Sequence, residues 1–319
     1  MKLRSETLKD FNEIAKVNYI AFSNWRQDSV HVHESEMPSL SRQKYMYDPD
    51  LSIVAEIDGK IVGHILLVPT DFMVLGEIIK GVLLGPICVL PKYQKTGIGA
   101  KLIRYGHNVA KDKGYEFSLL CGHPEYYPKF GYIQNTFSIG GTEIKVSIHT
   151  EKVDGFILKS FHSKNLKQVY EWQNNVRKND SLAIMFSNDV MDFNTNSPEI
   201  DSLMIYYKNE PIGYVKRYRD NKESIKVLYC DEAFLGKILI YLSNSLGENK
   251  CLSISQPFEH FSKLCDDSRF VINDKRKTNA AFMICSLKEN SIINNYCSEL
   301  ANDSIKPGVI SYPPYLDMD

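Results

Sequence analysis

The stretch from Val82 to Leu102 constrains the fold more than any other part of the chain. It begins as a run of aliphatic residues, crosses a polar turn holding Gly97 and Gly99, and continues with apolar residues at helical spacing. That order predicts a buried strand, a tight turn and an amphipathic helix, the basic unit of a layered α/β chain. The two glycines fall where the helix starts. The first turn of a helix has N–H groups without partners and a partial positive charge, so it suits phosphate oxygens. Gln94 and Lys95 add side-chain donors just ahead of it. A short Gly-x-Gly turn also serves ordinary chain reversal, and the residues further along the chain decide between the two uses.

At 319 residues the chain exceeds the usual size of one domain. With 38 basic and 39 acidic residues, scattered along the sequence, it carries no basic field for nucleic acid. The N-terminus lacks the apolar run of a signal peptide and no long apolar segment occurs later, so no membrane association and a cytoplasmic location are expected. Seven cysteines, odd in number and without Cys-x-x-Cys spacing, read as buried thiols of a reducing compartment.

The first half reads as a helix over 8–22, a polar stretch over 23–41, and a hairpin of 51–57 with 61–68 about Asp58–Gly59. Next come a long strand over 78–89, a helix over 98–113 stopped by Gly114, a short strand over 117–121, a helical turn over 124–130 and a strand over 132–139. The second half repeats the plan. Residues 203–207 and 211–215 resemble the first hairpin, and 251–261 echo 117–127. A duplicated unit, divided as 1–150 and 151–319, is the expectation.

One difference stands out. Gly63 to Pro124 is 61 positions, whereas Gly213 to Pro257 is 44. The shortening falls after the long strand, where Asp231 and Glu232 replace the glycine turn. Two carboxylates at a helix start take the place of a phosphate and repel one. The second half is therefore expected to lack an equivalent phosphate site.

The first half resembles the GCN5-related N-acetyltransferases. The resemblance rests on Gln94–Lys95–Thr96–Gly97–Ile98–Gly99–Ala100 and on Tyr127–Pro128–Lys129–Phe130–Gly131–Tyr132, in the family's order, and covers roughly residues 1–150. It implies a mixed α/β (α+β) sheet of the acyl-CoA N-acyltransferase fold, here in two tandem copies with a degenerate second one. It also implies acetyl-CoA as cosubstrate, an amine-bearing small-molecule acceptor and no metal. Carried over, Gln94, Lys95, Thr96, Gly97, Ile98, Gly99 and Ala100 hold the pyrophosphate. Ile87, Cys88 and Val89 pair with the pantetheine arm, and Tyr127 is the general acid that protonates the departing thiolate. Glu56 is the first choice of general base, with His64, His123, Glu125 and the C-terminal carboxylate as alternatives.

The acceptor side is expected from 23–41, where Trp25, Arg26, His31, His33, Glu34 and Glu36 give aromatic and acidic character. Two histidines without a third ligand, His31 and His33, read as solvated loop residues. The tail 307–319 is semi-rigid and aromatic and either docks into the site or frays. A symmetric homodimer is the default assembly. Direct transfer in a ternary complex is the leading reading of function. The alternative is a non-catalytic acetyl-CoA sensor that signals through the second half.

Overall fold

A computed structural model of the protein describes residues 1–23, 31–147, 153–193, 197–246 and 250–311. Trp25, Arg26 and the tail from residue 312 onward lie outside the described residues. The first part runs β1 (Lys2–Ser5), α1 (Phe11–Ser23), α2 (Met37–Ser41), β2 (Ser52–Ile57), β3 (Lys60–Val74), β4 (Glu77–Val89), α3 (Ile98–Asp112), β5 (Phe117–Cys121), β6 (Phe137–Ile139) and β7 (Thr142–Val146). It continues with β8 (Phe156–Ser160), α4 (Leu166–Arg177), β9 (Leu182–Met185), β10 (Ile200–Tyr207), β11 (Glu210–Tyr218), β12 (Ser224–Cys230) and α5 (Leu235–Asn244). The remainder is β13 (Cys251–Ile254), β14 (Phe270–Asp274), β15 (Lys277–Thr278), β16 (Phe282–Ser286), α6 (Ile292–Ala301) and β17 (Gly308–Val309).

Two mixed sheets carry the fold. The first is ordered β1-β2-β3-β4-β5-β16 with β9 on the far half of β3, and the second β14-β7-β13-β12-β11-β10-β8. The strands β6, β15 and β17 form a small third sheet. The sheets exchange strands across the expected division at residue 150. β7 pairs with β13 and β14, while β9 and β16 return to β3 and β5. A buried ion pair, Lys44 Nζ to Asp192 Oδ1 at 2.9 Å, adds a polar tie between the same two regions.

Local chemistry explains the elements. In α3, Ile98, Leu102, Ile103, Gly106 and Ala110 share one face and pack on Ile53, Ile65 and Leu67. Each fully buried aliphatic side chain there contributes roughly 1.5–3 kcal/mol. On the opposite face Ile14 and Val17 of α1 pack on Val54, Ile61 and Cys88. Below α1 lies a buried polar cluster. Glu6 accepts from Arg42 (2.9 and 2.7 Å), from Ser52 Oγ (2.6 Å) and from the Tyr47 hydroxyl. Burial alone would raise the Glu6 carboxyl, but these donors outweigh it and hold the group below the ordinary range.

Two predicted elements differ. β3 runs on to Val74, six residues past the expected end, because β9 covers its far half. The strand expected over 132–139 shrinks to 137–139: Asn135 takes a left-handed conformation (φ 60°), and Tyr132 turns into the core to meet His107 and Ser118 at 2.9 and 2.7 Å.

Candidate active site

The site begins with a defect in the sheet. β4 and β5 are parallel and pair at Val82↔Ser118 and Leu83↔Leu119 only. Immediately beyond, two residues of β4, Gly85 and Pro86, face the single Leu66 of β3, a bulge between Ile65 and Leu67. Past the bulge Leu90 N–H donates to Val62 O (2.9 Å), so its N–H points at β3. In an antiparallel ladder direction alternates from residue to residue, so the N–H and C=O groups of Ile87 and Val89 point away from β3, into the gap left by β5. The Gln94 side chain closes part of that edge, donating to Val89 O at 3.0 Å.

At the end of β4 the chain turns into α3. Lys95 (φ 62°) and Gly97 (φ 84°) are both left-handed; at Gly97 this conformation forms the helix cap. Lys101 N–H makes the first helical bond, to Gly97 O at 3.1 Å. The N–H groups of Ile98, Gly99 and Ala100 precede it and have no carbonyl of the helix to bond. Gly99 is glycine for a different reason from Gly97. A Cβ there would stand 3.2 Å from the Tyr126 hydroxyl and 3.9 Å from Val89 Cγ2, filling the crevice where strand, helix and the 127–130 turn converge.

Tyr127 sits on that turn, 8% exposed, packed among Leu102, Leu120 and Tyr132. Its ring fills the space above Gly122, where a Cβ would lie 2.4 Å from Cε2. Burial, with Tyr126 and Cys121 beside it, pushes the phenol up to about 12, so the proton stays on through the physiological range. Lys129 lies over the Tyr126 ring at 3.7 Å and Arg104 over Phe130 at 5.3 Å, which places cations on the outer wall of the crevice.

The structure thus gathers Ile87, Val89, Gln94, Gly97, Ile98, Gly99, Ala100 and Tyr127 around one cleft. Lys95 and Thr96 lie on its exposed rim, with Thr96 Oγ1 donating to Tyr93 O at 2.6 Å. Cys88 points the other way, into the α1 packing, and burial pushes its thiol up to about 12. Glu56 is not brought to the cleft. Its carboxylate accepts from Arg4 Nε at 2.8 Å, and β3 lies between its strand and β4. We assign it to that ion pair and not to proton transfer. His64 is also removed as a base: it is wholly buried between Asn18 (3.1 Å) and Ser52 (2.9 Å), and burial pushes it down to about 3. His123 and Glu125 remain exposed on the turn that carries Tyr127. Sequence reasoning missed Tyr126 as a wall of the crevice; its neighbour's match to the motif drew the assignment away.

The second sheet has the same defect with a different outcome. A bulge falls between Lys216 and Arg217, and β12 pairs with β13 only at Ser224↔Ser253 and Ile225↔Ile254. Register equates Leu228 with Ile87, Gln256 with Gly122 and Phe261 with Tyr127. Here the freed Leu228 N–H is taken by Gln256 Oε1 (2.9 Å), and Asp231 caps the next helical turn by accepting from Ala233 N–H (3.0 Å). The gap is filled from within.

Comparison with known proteins agrees with this architecture. Residues 2–134 match the acetyltransferase (GNAT) domain family. The chain is 38% identical over 86 residues to the uncharacterized N-acetyltransferase YjhQ of Escherichia coli K12, covering 26% of this chain and 46% of that protein. It spans about half the length of the curated relatives it matches. A GCN5-related N-acetyltransferase from Anabaena variabilis superposes over 90% of this chain and 73% of its own, with a TM-score of 0.65 at 15% identity. A conserved protein of unknown function from Enterococcus faecalis V583, described as a probable N-acyltransferase, covers 90% and 72% with a TM-score of 0.64 at 11% identity. The fold is the acyl-CoA N-acyltransferase fold in tandem, and the match to the GNAT domain family lies within its first copy. Among the described residues no helix is long and apolar enough to cross a membrane.

Proposed function

We propose that the chain is an acetyl-CoA-dependent N-acetyltransferase that passes an acetyl group directly to a primary amine, with residues 1–150 as the catalytic unit and 151–319 as a copy that has lost the cofactor site. One observation carries this reading: an open strand edge at Ile87–Val89 leads straight into the bare helix start at Ile98–Ala100. The residues fit the group, because Gly99 keeps clear a crevice that any Cβ would narrow.

When bound, acetyl-CoA supplies an activated acetyl thioester. The Ile87 and Val89 backbone would hold the extended arm as an added strand, in place of the Gln94 bond. The N–H groups of residues 98–100 and the helix dipole would hold the pyrophosphate. The neutral acceptor amine would attack the thioester carbonyl, forming the C–N bond as the C–S bond breaks; Tyr127 would give its proton to the departing sulfur, and its phenolate would recover a proton from the amide nitrogen through solvent. Closing the cleft with peptide N–H groups and aromatic rings excludes water from the thioester. No nucleophilic cysteine takes part, consistent with the raised thiols of Cys88 and Cys121.

The test is thiol release from acetyl-CoA across a panel of aminoglycosides, polyamines, amino acids and lysine peptides. Release that depends on an amine, with no acetyl adduct on the protein after acetyl-CoA alone, is expected. Acetyl-CoA binding with no release over the whole panel would sink the enzyme reading in favour of a sensor. A stable protein adduct would sink direct transfer.

A further inference from the structure

We propose that His31, His33 and Glu36 form a binding site for one borderline divalent metal ion, with zinc the best match. The sequence sets two histidines beside two acids, Glu34 and Glu36, without saying which acid is the third ligand. The fold decides it. Just ahead of α2 the chain makes a 3-10 turn, His33–Ser35, closed by Glu36 N–H to His33 O at 2.9 Å and by Ser35 Oγ to Val32 O at 2.7 Å. Val32, Glu34 and Met37 are each 4% exposed and anchor the turn inward. That leaves residues 31 and 36 exposed with His33 half-buried between them, and one donor atom from each lies within 4.8 Å of the other two.

The spacing suits a metal. Zinc bonds of about 2.0–2.2 Å at tetrahedral angles put neighbouring donor atoms about 3.4 Å apart. His31 Nε2 and Glu36 Oε2 already stand at 3.5 Å. The His31 and His33 rings stack with centroids 6.0 Å apart and planes 28° from parallel, so a small side-chain rotation brings the third nitrogen in. Two imidazoles and a carboxylate form a borderline set that favours zinc, nickel or copper over magnesium or calcium. Three protein donors leave a fourth position for water. Because the inward anchors already fix the turn, ordering it costs the ion little. Bound there, it would clamp the chain between α1 and α2, on the side from which the acceptor is expected. The proposal does not depend on the transferase reading.

The experiment uses the full chain with any affinity tag removed, stripped by chelator and titrated with zinc chloride by calorimetry. Cobalt(II) serves as the spectroscopic substitute. One equivalent of zinc, bound at a Kd on the order of 10 μM or tighter, is expected, with a cobalt d–d spectrum of tetrahedral type and a melting temperature raised by a few degrees at saturation. The triple variant H31A/H33A/E36Q, two of whose changes are at exposed positions, should keep the circular dichroism spectrum and lose at least tenfold in zinc affinity. Glu36→Gln alone should weaken binding while keeping a cobalt signal from the two histidines. A full chain that binds no zinc in this range overturns the proposal, as does a triple variant that binds it equally well.

Discussion

The two sheets start from the same irregularity and end in opposite states. In each, a bulge turns strand backbone away from its antiparallel neighbour, and the parallel neighbour diverges after two paired residues. In the first sheet the opened space is kept clear by Gly99 and walled by Tyr126 and Tyr127. In the second, Gln256 fills it and Asp231 occupies the helix start, with Glu232 tied to Lys263. The bulge alone therefore makes no site. It exposes backbone polar groups that either a ligand or the protein itself must satisfy, since buried N–H groups without partners are costly. A single exchange, Gly122 in one copy for Gln256 in the other, tracks that division.

The sharpest way to break the comparison is Tyr127→Phe, which makes the first cleft resemble the second at Phe261. Amine-dependent thiol release should fall by about 10²–10⁴-fold with acetyl-CoA binding retained, as expected when a general acid is lost. The pH profile adds to this. Because Tyr127 titrates near 12, the wild-type rate should climb with pH as the acceptor amine loses its proton and show no descending limb below about pH 11. A descending limb near neutrality would assign the acid elsewhere.

Filling the crevice comes next. Gly99→Val should cut turnover about 100-fold and weaken acetyl-CoA binding, with the fold intact by circular dichroism. Turnover at the wild-type level would show that the crevice is not where the ligand lies. Gln256→Ala should leave transfer unchanged but strand the Leu228 N–H, costing about 1–3 kcal/mol in chemical denaturation. The smallest expected effect is that of Asp231→Ala: about 1 kcal/mol from the lost cap, with no change in rate. A gain of acetyl-CoA binding at the second sheet in the double variant would mean that filling alone had silenced it.

Much of this was legible along the chain because it depends on neighbours in sequence. Gly97 and Gly99 mark a bare helix start whatever surrounds them, and Asp231–Glu232 mark one capped by the chain's own carboxylate. The first strand of the hairpin, α3 and β5 came within a residue of their observed bounds for the same reason. Glu56 failed on a long-range fact: Arg4, 52 residues earlier in the chain, lies beside it in β1 and takes its carboxylate. The expected strand from Tyr132 failed because a hydroxyl that finds His107 and Ser118 inside the core outweighs local strand preference.

The sequence by itself determined the repeated ground plan, the glycine turn at the helix start of the first copy and its replacement by two acids in the second, since each depends on residue types a few positions apart. Only the tertiary structure decided which strands cross between the sheets, that Gln256 closes the second gap, that Tyr126 walls the first, and that Glu36 joins two histidines. Those outcomes rest on contacts whose geometry depends on how distant segments pack or how one turn is anchored, and no local pattern encodes them.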